Sequence, residues 1–115
     1  MALQIIDGPT IPVNESLSDG VDCSGGEIVR ITVPQEFTPA NLTFQVSSDG
    51  NLYNDLYYNN GEMVTVVANA DTGIIFPRHL VRAIGFIKLR SGTRNHPILQ
   101  VEDCKFAIAV ELAGP

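Results

Sequence analysis

Few residues of this chain have the types and spacing that chemistry needs. The only histidines, His79 and His96, stand at no ligand spacing from a cysteine or an acid, so no zinc-type site can be read from them. There is no glycine-rich phosphate loop and no Gly-x-Ser-x-Gly nucleophile turn. A serine, a histidine and an aspartate can meet in space without meeting in sequence, but any chain this size holds all three. Asp49, Asn51, Asn54 and Asp55 gather oxygens around Gly50. They lack the acidic alternation of a calcium loop, and a hairpin turn explains the same residues. The expectation is a protein that is not an enzyme, with no catalytic residue, metal or cofactor.

Cys23 and Cys104 are the only cysteines. In an exported protein a bridge between them would close a long loop, worth roughly 4 kcal/mol in principle. The start, MALQIIDGPT, has no basic region and its apolar run stops at Asp7, so no secretory signal is read and two reduced, partly buried thiols are expected. The same reading makes the glycosylation patterns at Asn14 and Asn41 idle and places the protein in the cytoplasm, or assembled there. No apolar run approaches the ~20 residues of a membrane helix.

What remains is aromatic. In the stretch Leu52 to Tyr58 the leucines occupy even positions and claim the core, which sets Tyr53 and Tyr57 together on the outside. Such a pair can cover sheet, stack sugar rings or anchor a protein interface, where tyrosine is enriched. Sugar platforms favour tryptophan, and the chain has none. A glycan reading would draw on Asn51, Asn59, Asn60, Arg94, Asn95 and His96 as polar loop residues converging at one end of the fold.

The elements that position these residues are strands. IVRITV, Ile28 to Val33, alternates with period two, setting Val29, Ile31 and Val33 on one face. Leu42, Phe44 and Val46 alternate against Thr43, Gln45 and Ser47, and Asp49-Gly50 supplies the positive φ of a tight turn. Strands follow over Leu52 to Tyr58, Met63 to Ala68, Ile74 to Phe76 and Ile84 to Arg90, with one helical turn in PRHLVRA after Pro77. The last strand, Cys104 to Leu112, puts Cys104, Phe106, Ile108, Val110 and Leu112 on one face and small Ala107 and Ala109 on the other.

Seven or eight short strands with no helix of two full turns predict an all-β antiparallel sandwich of jelly-roll type. Residues 1–15, with Pro9 and Pro12, read as an extended N-terminal arm, and 16–115 as one domain. At 115 residues, 44% hydrophobic and 17% charged, the chain can bury a core and shows a lightly charged surface of the kind that often meets other protein. A net charge of -6 argues against nucleic acid as a partner. Residues 1–77 carry ten acids and one base, and 78–115 three acids and six bases. Either the two sets mix on folding, or an acidic patch of one copy meets a basic patch of the next.

Four stretches carry a resemblance: SLSDGVDCSGGEIVRITVP (Ser16 to Pro34), FTPANLTFQVSSDG (Phe37 to Gly50), LYNDLY (Leu52 to Tyr57) and FIKLRSGT (Phe86 to Thr93). Together they resemble small proteins encoded among the structural genes of tailed bacteriophages, over about residues 16 to 95. The shared pattern is a Ser-Leu-Ser start, an Ala-x-Leu-Thr-Phe-Gln-x-Ser-x-Asp-Gly hairpin and a Leu-Arg-Ser-Gly strand end. The resemblance implies a virion component on the capsid surface, a jelly-roll cement or decoration protein that binds the major capsid protein and associates with itself as a dimer or trimer. Interface anchors on that reading are Tyr53, Tyr57, Arg78, Arg82, Ile5, Ile6 and Ile11. A weaker resemblance, through Ser47, Asp49, Gly50 and Tyr53, is to discoidin-like and carbohydrate-binding sandwiches; it implies a glycan-binding module in a tail or fibre.

Overall fold

The computed structural model describes residues 2–76 and 85–112, and the PRHLVRA segment, with the helical turn expected there, lies outside them. Among the described residues nine strands run in chain order: β1 (Leu3–Ile11), β2 (Val21–Asp22), β3 (Gly26–Val33), β4 (Ala40–Ser47), β5 (Asn54–Asp55), β6 (Val66–Ala68), β7 (Thr72–Ile75), β8 (Phe86–Ser91) and β9 (Cys104–Leu112). They form two antiparallel sheets packed together. One has the order β1-β9-β3-β7; the other has β2-β8-β4-β5, with β6 also on β4.

The strands β5 and β6 are two pieces of one. Asn54 and Asp55 pair with Val46 and Gln45, and Val66 to Ala68 pair with Leu42 to Ala40. Between them residues 57–65 leave the ladder opposite Thr43 as a small hairpin, closed by a Tyr57–Met63 bridge. Counting β5–β6 as one strand, the pairs are first with last, second with second-last, and so inward: β1 with β9, β2 with β8, β3 with β7, β4 with β5–β6. This is a long antiparallel ribbon folded over so that β9 meets β3 and β8 meets β4, the eight-strand jelly roll.

Between the sheets lie Ile11, Ile28, Ile31, Phe106 and Ile108 from the first and Leu42, Phe44, Ile87 and Leu89 from the second, all sealed from solvent. Phe37 meets Phe106 edge-on at 5.8 Å between ring centres, and Phe44 meets Phe76 at 5.4 Å. Each such side chain contributes roughly 1.5–3 kcal/mol by leaving water.

Three expectations change. Residues 3–11 are not an arm but β1, paired along β9, and Ile11 is fully buried in the core. Pro9 is accommodated because the β1 ladder shifts register between Asp7 and Thr10. In β3 the core face is Ile28, Ile31 and Val33, without Val29, because a bulge between Ile28 and Arg30 reverses the alternation. Leu52 is 70% exposed, since the chain is still in the turn there and reaches the ladder only at Asn54.

The cysteines lie at opposite ends of the sandwich, free and buried. Cys104 opens β9 beside Ile11, whereas Cys23 follows β2 and bonds the Gly85 carbonyl.

Candidate interaction site

The second sheet turns one face to the core and the other outward, and its outward face carries the polar residues. Register sets Thr43 beside Arg90, Gln45 between Lys88 and Asp55, and Ser47 beside Phe86. At the centre Arg90 donates from Nη1 to Asp55 Oδ1 at 2.9 Å and from Nε to Thr43 Oγ1 at 3.0 Å. The Thr43 hydroxyl in turn donates a hydrogen bond to the Gly92 carbonyl at 2.8 Å, and Gln45 donates to Asp55 at 3.3 Å. Arg90 Nη2 lies 3.6 Å from Met63 Sδ, and Arg94 Nη1 stands 3.5 Å from Asp55 Oδ2.

The Arg90 and Asp55 side chains are only 7% and 10% exposed although they sit on the outside of a sheet. The 57–65 hairpin is what covers them, through Tyr57 and Met63. Taking an ion pair out of water is costly unless each partner is fully hydrogen-bonded, and here all three Arg90 nitrogens and both Asp55 carboxylate oxygens have partners.

Above this pair is an open depression of about 440 Å³, floored by Gln45, Asp55 and Arg90 and walled by Tyr53, Asn54, Tyr57 and Arg94. Tyr53 forms the ridge between it and a second hollow, of about 560 Å³, bordered by Asp19, Asp22, Asn51 and Phe86. The ring of Tyr53 is held from both ends. Lys88 Nζ stands 4.4 Å from its centre, and its hydroxyl lies where a side chain at Gly20 would stand. Burial first, then the carboxylates of Asp49, Asp19 and Asp22, push the phenol above its ordinary range.

The turn that delivers Tyr53 is fixed by Ser47 and Asp49. The Asn51 and Leu52 N–H groups donate to the Asp49 carboxylate, and these bonds with that from Ser47 hold its pKa below the usual carboxylate value. Gly50 adopts φ +81° against the Phe86 ring, where a Cβ would be both strained and crowded. The two carboxylates that suggested a calcium loop, Asp49 and Asp55, are thus spent on turn and ion pair. Among the described residues no group of three or more His, Cys, Asp or Glu could hold a metal ion, and no helix is long and apolar enough to cross a membrane.

Of the anchors read from sequence, Tyr53 and Tyr57 do come together, with Tyr57 45% exposed and Tyr53 half-buried. Ile5 is exposed on β1, Ile6 packs against the core, and fully buried Ile11 cannot be a surface anchor. Arg78, Arg82 and His79 lie outside the described residues. The glycan loop set does not converge. Asn51 follows the end of β4 while Asn95 and His96 follow the end of antiparallel β8, where the Gly92 N–H bonds the Asn41 carbonyl, so they occupy opposite ends. Asn59 and Asn60 tip the separate 57–65 hairpin. Arg94 alone of that set reaches the depression.

Arg90, Asp55, Thr43 and Gln45 are the site residues that motif reading missed, although Lys88 and Arg90 alternating with buried Ile87 and Leu89 carried the signal for an outward basic row. The two end motifs also meet. Ser16-Leu17-Ser18 lines β8 on the side of β2, the Ser18 hydroxyl accepting from the Leu89 N–H at 2.9 Å and the Ser16 carbonyl from the Ser91 N–H at 2.8 Å. The Ser-Leu-Ser, Leu-Thr-Phe-Gln and Leu-Arg-Ser-Gly stretches are therefore neighbours in one sheet. Comparison with protein-family models, curated proteins and solved structures gives no match.

Proposed function

We propose that this protein is a virion structural component that binds the outside of a capsid lattice built by a major capsid protein and stabilises it, as a cement or decoration protein. The observation that carries the reading is the Tyr53, Tyr57 and Arg94 rim around the fixed Arg90–Asp55 pair. Tyrosine and arginine are enriched among the anchors of protein interfaces, tyrosine because its rigid ring buries much area at little entropic cost. The resemblance to small phage structural proteins supports it, and the stretches behind that resemblance are explained as ladder, turn and ion-pair residues of a rigid sandwich. Attachment would come from many copies each making modest contacts, so avidity matters more than one tight site.

A second reading, a glycan-binding module in a tail or fibre, draws on the same depression, where two phenol rings flank a carboxylate, an amide and guanidinium groups. Copy number separates the two. Particles from the source, banded on a density gradient and quantified by mass spectrometry, are expected to hold this protein in near-stoichiometric ratio to the shell protein. A few copies per particle would favour the tail position; none in the band would end the virion reading.

A further inference from the structure

The sheet edges of this protein are not equally protected. On the second sheet one edge is β2, only two residues long, and the other is β5–β6, broken by the 57–65 hairpin. On the first sheet β7 is four residues long, but β1 runs nine and, among the described residues, pairs with β9 on one side only. A long edge is normally blunted by lysine, proline or a bulge. In β1 the register shift and Pro9 come only after Asp7, so among the described residues Leu3 to Asp7 is an open, regular edge.

Register shows which groups it presents. The Leu112 N–H bonds the Ala2 carbonyl at 2.9 Å, and Leu3, Gln4, Ile5 and Ile6 stand opposite Glu111, Val110, Ala109 and Ile108. Ala2, Gln4 and Ile6 are therefore the residues bonded to β9, and by the antiparallel alternation Leu3, Ile5 and Asp7 direct N–H and C=O away from the sheet.

We propose that Leu3 to Asp7 pairs antiparallel with the same segment of a second copy, about a two-fold axis at Ile5, joining two first sheets into one. The outward groups fall at Leu3, Ile5 and Asp7, symmetric about Ile5, so a two-fold sets Ile5 opposite Ile5 and Leu3 opposite Asp7 and meets every outward donor with an acceptor. A closed pair of this kind uses the same patch twice. Leu3 and Ile5, 57% and 55% exposed, leave water together on the outer face. Charge does not oppose it. The two Asp7 carboxylates fall about 14 Å apart by strand rise, beyond the ~8 Å screening length at physiological salt. Each already has Lys105 Nζ at 2.6 Å. This pairing does not rest on the virion reading, since it concerns the isolated chain.

Sedimentation equilibrium on the full chain at micromolar concentrations tests it. Wild type is expected at twice the 12.4 kDa chain mass. Ile5→Lys, which adds an exposed charge at the axis, is expected at the single mass with unchanged far-UV circular dichroism. Hydrogen exchange on wild type gives a second readout that needs no variant: Leu3, Ile5 and Asp7 amides are expected to exchange about ten-fold more slowly in concentrated than in dilute protein, while Gln4 and Ile6 stay independent of concentration. A wild type that is monomeric throughout, or trimeric, overturns the proposal. So does a dimer in which Leu3 and Ile5 amides exchange at the dilute rate.

Discussion

Among single residues, Arg90 and Tyr57 share one depression but differ in what they hold. Arg90 bonds Asp55 and Thr43 under cover, so Arg90→Ala leaves the buried Asp55 carboxylate to Gln45 and the exposed Arg94; a loss of about 1–3 kcal/mol is expected from urea denaturation. Tyr57 is half-exposed and covers part of the pair, so Tyr57→Ala is expected to cost about 1 kcal/mol while weakening attachment to shells in co-sedimentation. Equal attachment by that variant and wild type would remove Tyr57 from the interface. Ionisation gives a third readout. Burial, then the nearby Asp22 carboxylate, pushes the Cys23 thiol up to about 11, and burial also raises Cys104. The folded protein therefore binds the Cys23 proton more tightly than the unfolded chain does, so this stabilisation is whole below the thiol's ordinary pKa of ~8.5 and is lost as pH rises toward 11. Native protein at pH 8 is expected to resist a thiol reagent that labels both cysteines in denaturant; rapid native labelling would contradict the burial.

Among elements, legibility in the sequence followed local period. The strand β9 was readable throughout, because Cys104, Phe106, Ile108 and Val110 alternate without interruption and all are buried. The Asp49-Gly50 turn was readable too, since its bonds are local. Three features were not. The bulge in β3 inserts one residue and so reverses the face assignment of Val29, and a period-two reading has no signal for it. The β5–β6 strand is split by an excursion whose ends rejoin only because β4 lies alongside. Pro9 in β1 and Pro12 just after it made the segment resemble an arm, because the partner of β1, β9, is about a hundred positions away in sequence. The arm and strand descriptions differ in energy. Ile11 is sealed in the core, so Ile11→Ala is expected to cost about 2–5 kcal/mol in denaturation, whereas in a mobile arm the change would cost almost nothing.

For the whole molecule, the ribbon topology brings together what the sequence keeps apart, and this decides the fate of the two charge sets. Asp55 of the acidic part bonds Arg90 and Arg94 of the basic part, Asp7 bonds Lys105, and Tyr53 lies under Lys88. The halves therefore mix within one chain. The same topology makes the two terminal strands a single structural pair: β9 lies between β1 and β3, so without it two strands of the first sheet lose their neighbour at once. Nothing in such an arrangement can melt alone from one end. Far-UV circular dichroism and tyrosine fluorescence are expected to report one coincident unfolding transition, whose midpoint under denaturant falls together for both probes. Because pairs such as β1 with β9 must close most of the chain before they gain a contact, refolding is expected on a millisecond-to-second scale. Two separated transitions would mean that one sheet is stable without the other, which the shared core of Ile11, Ile31, Phe106, Leu42, Phe44 and Leu89 argues against.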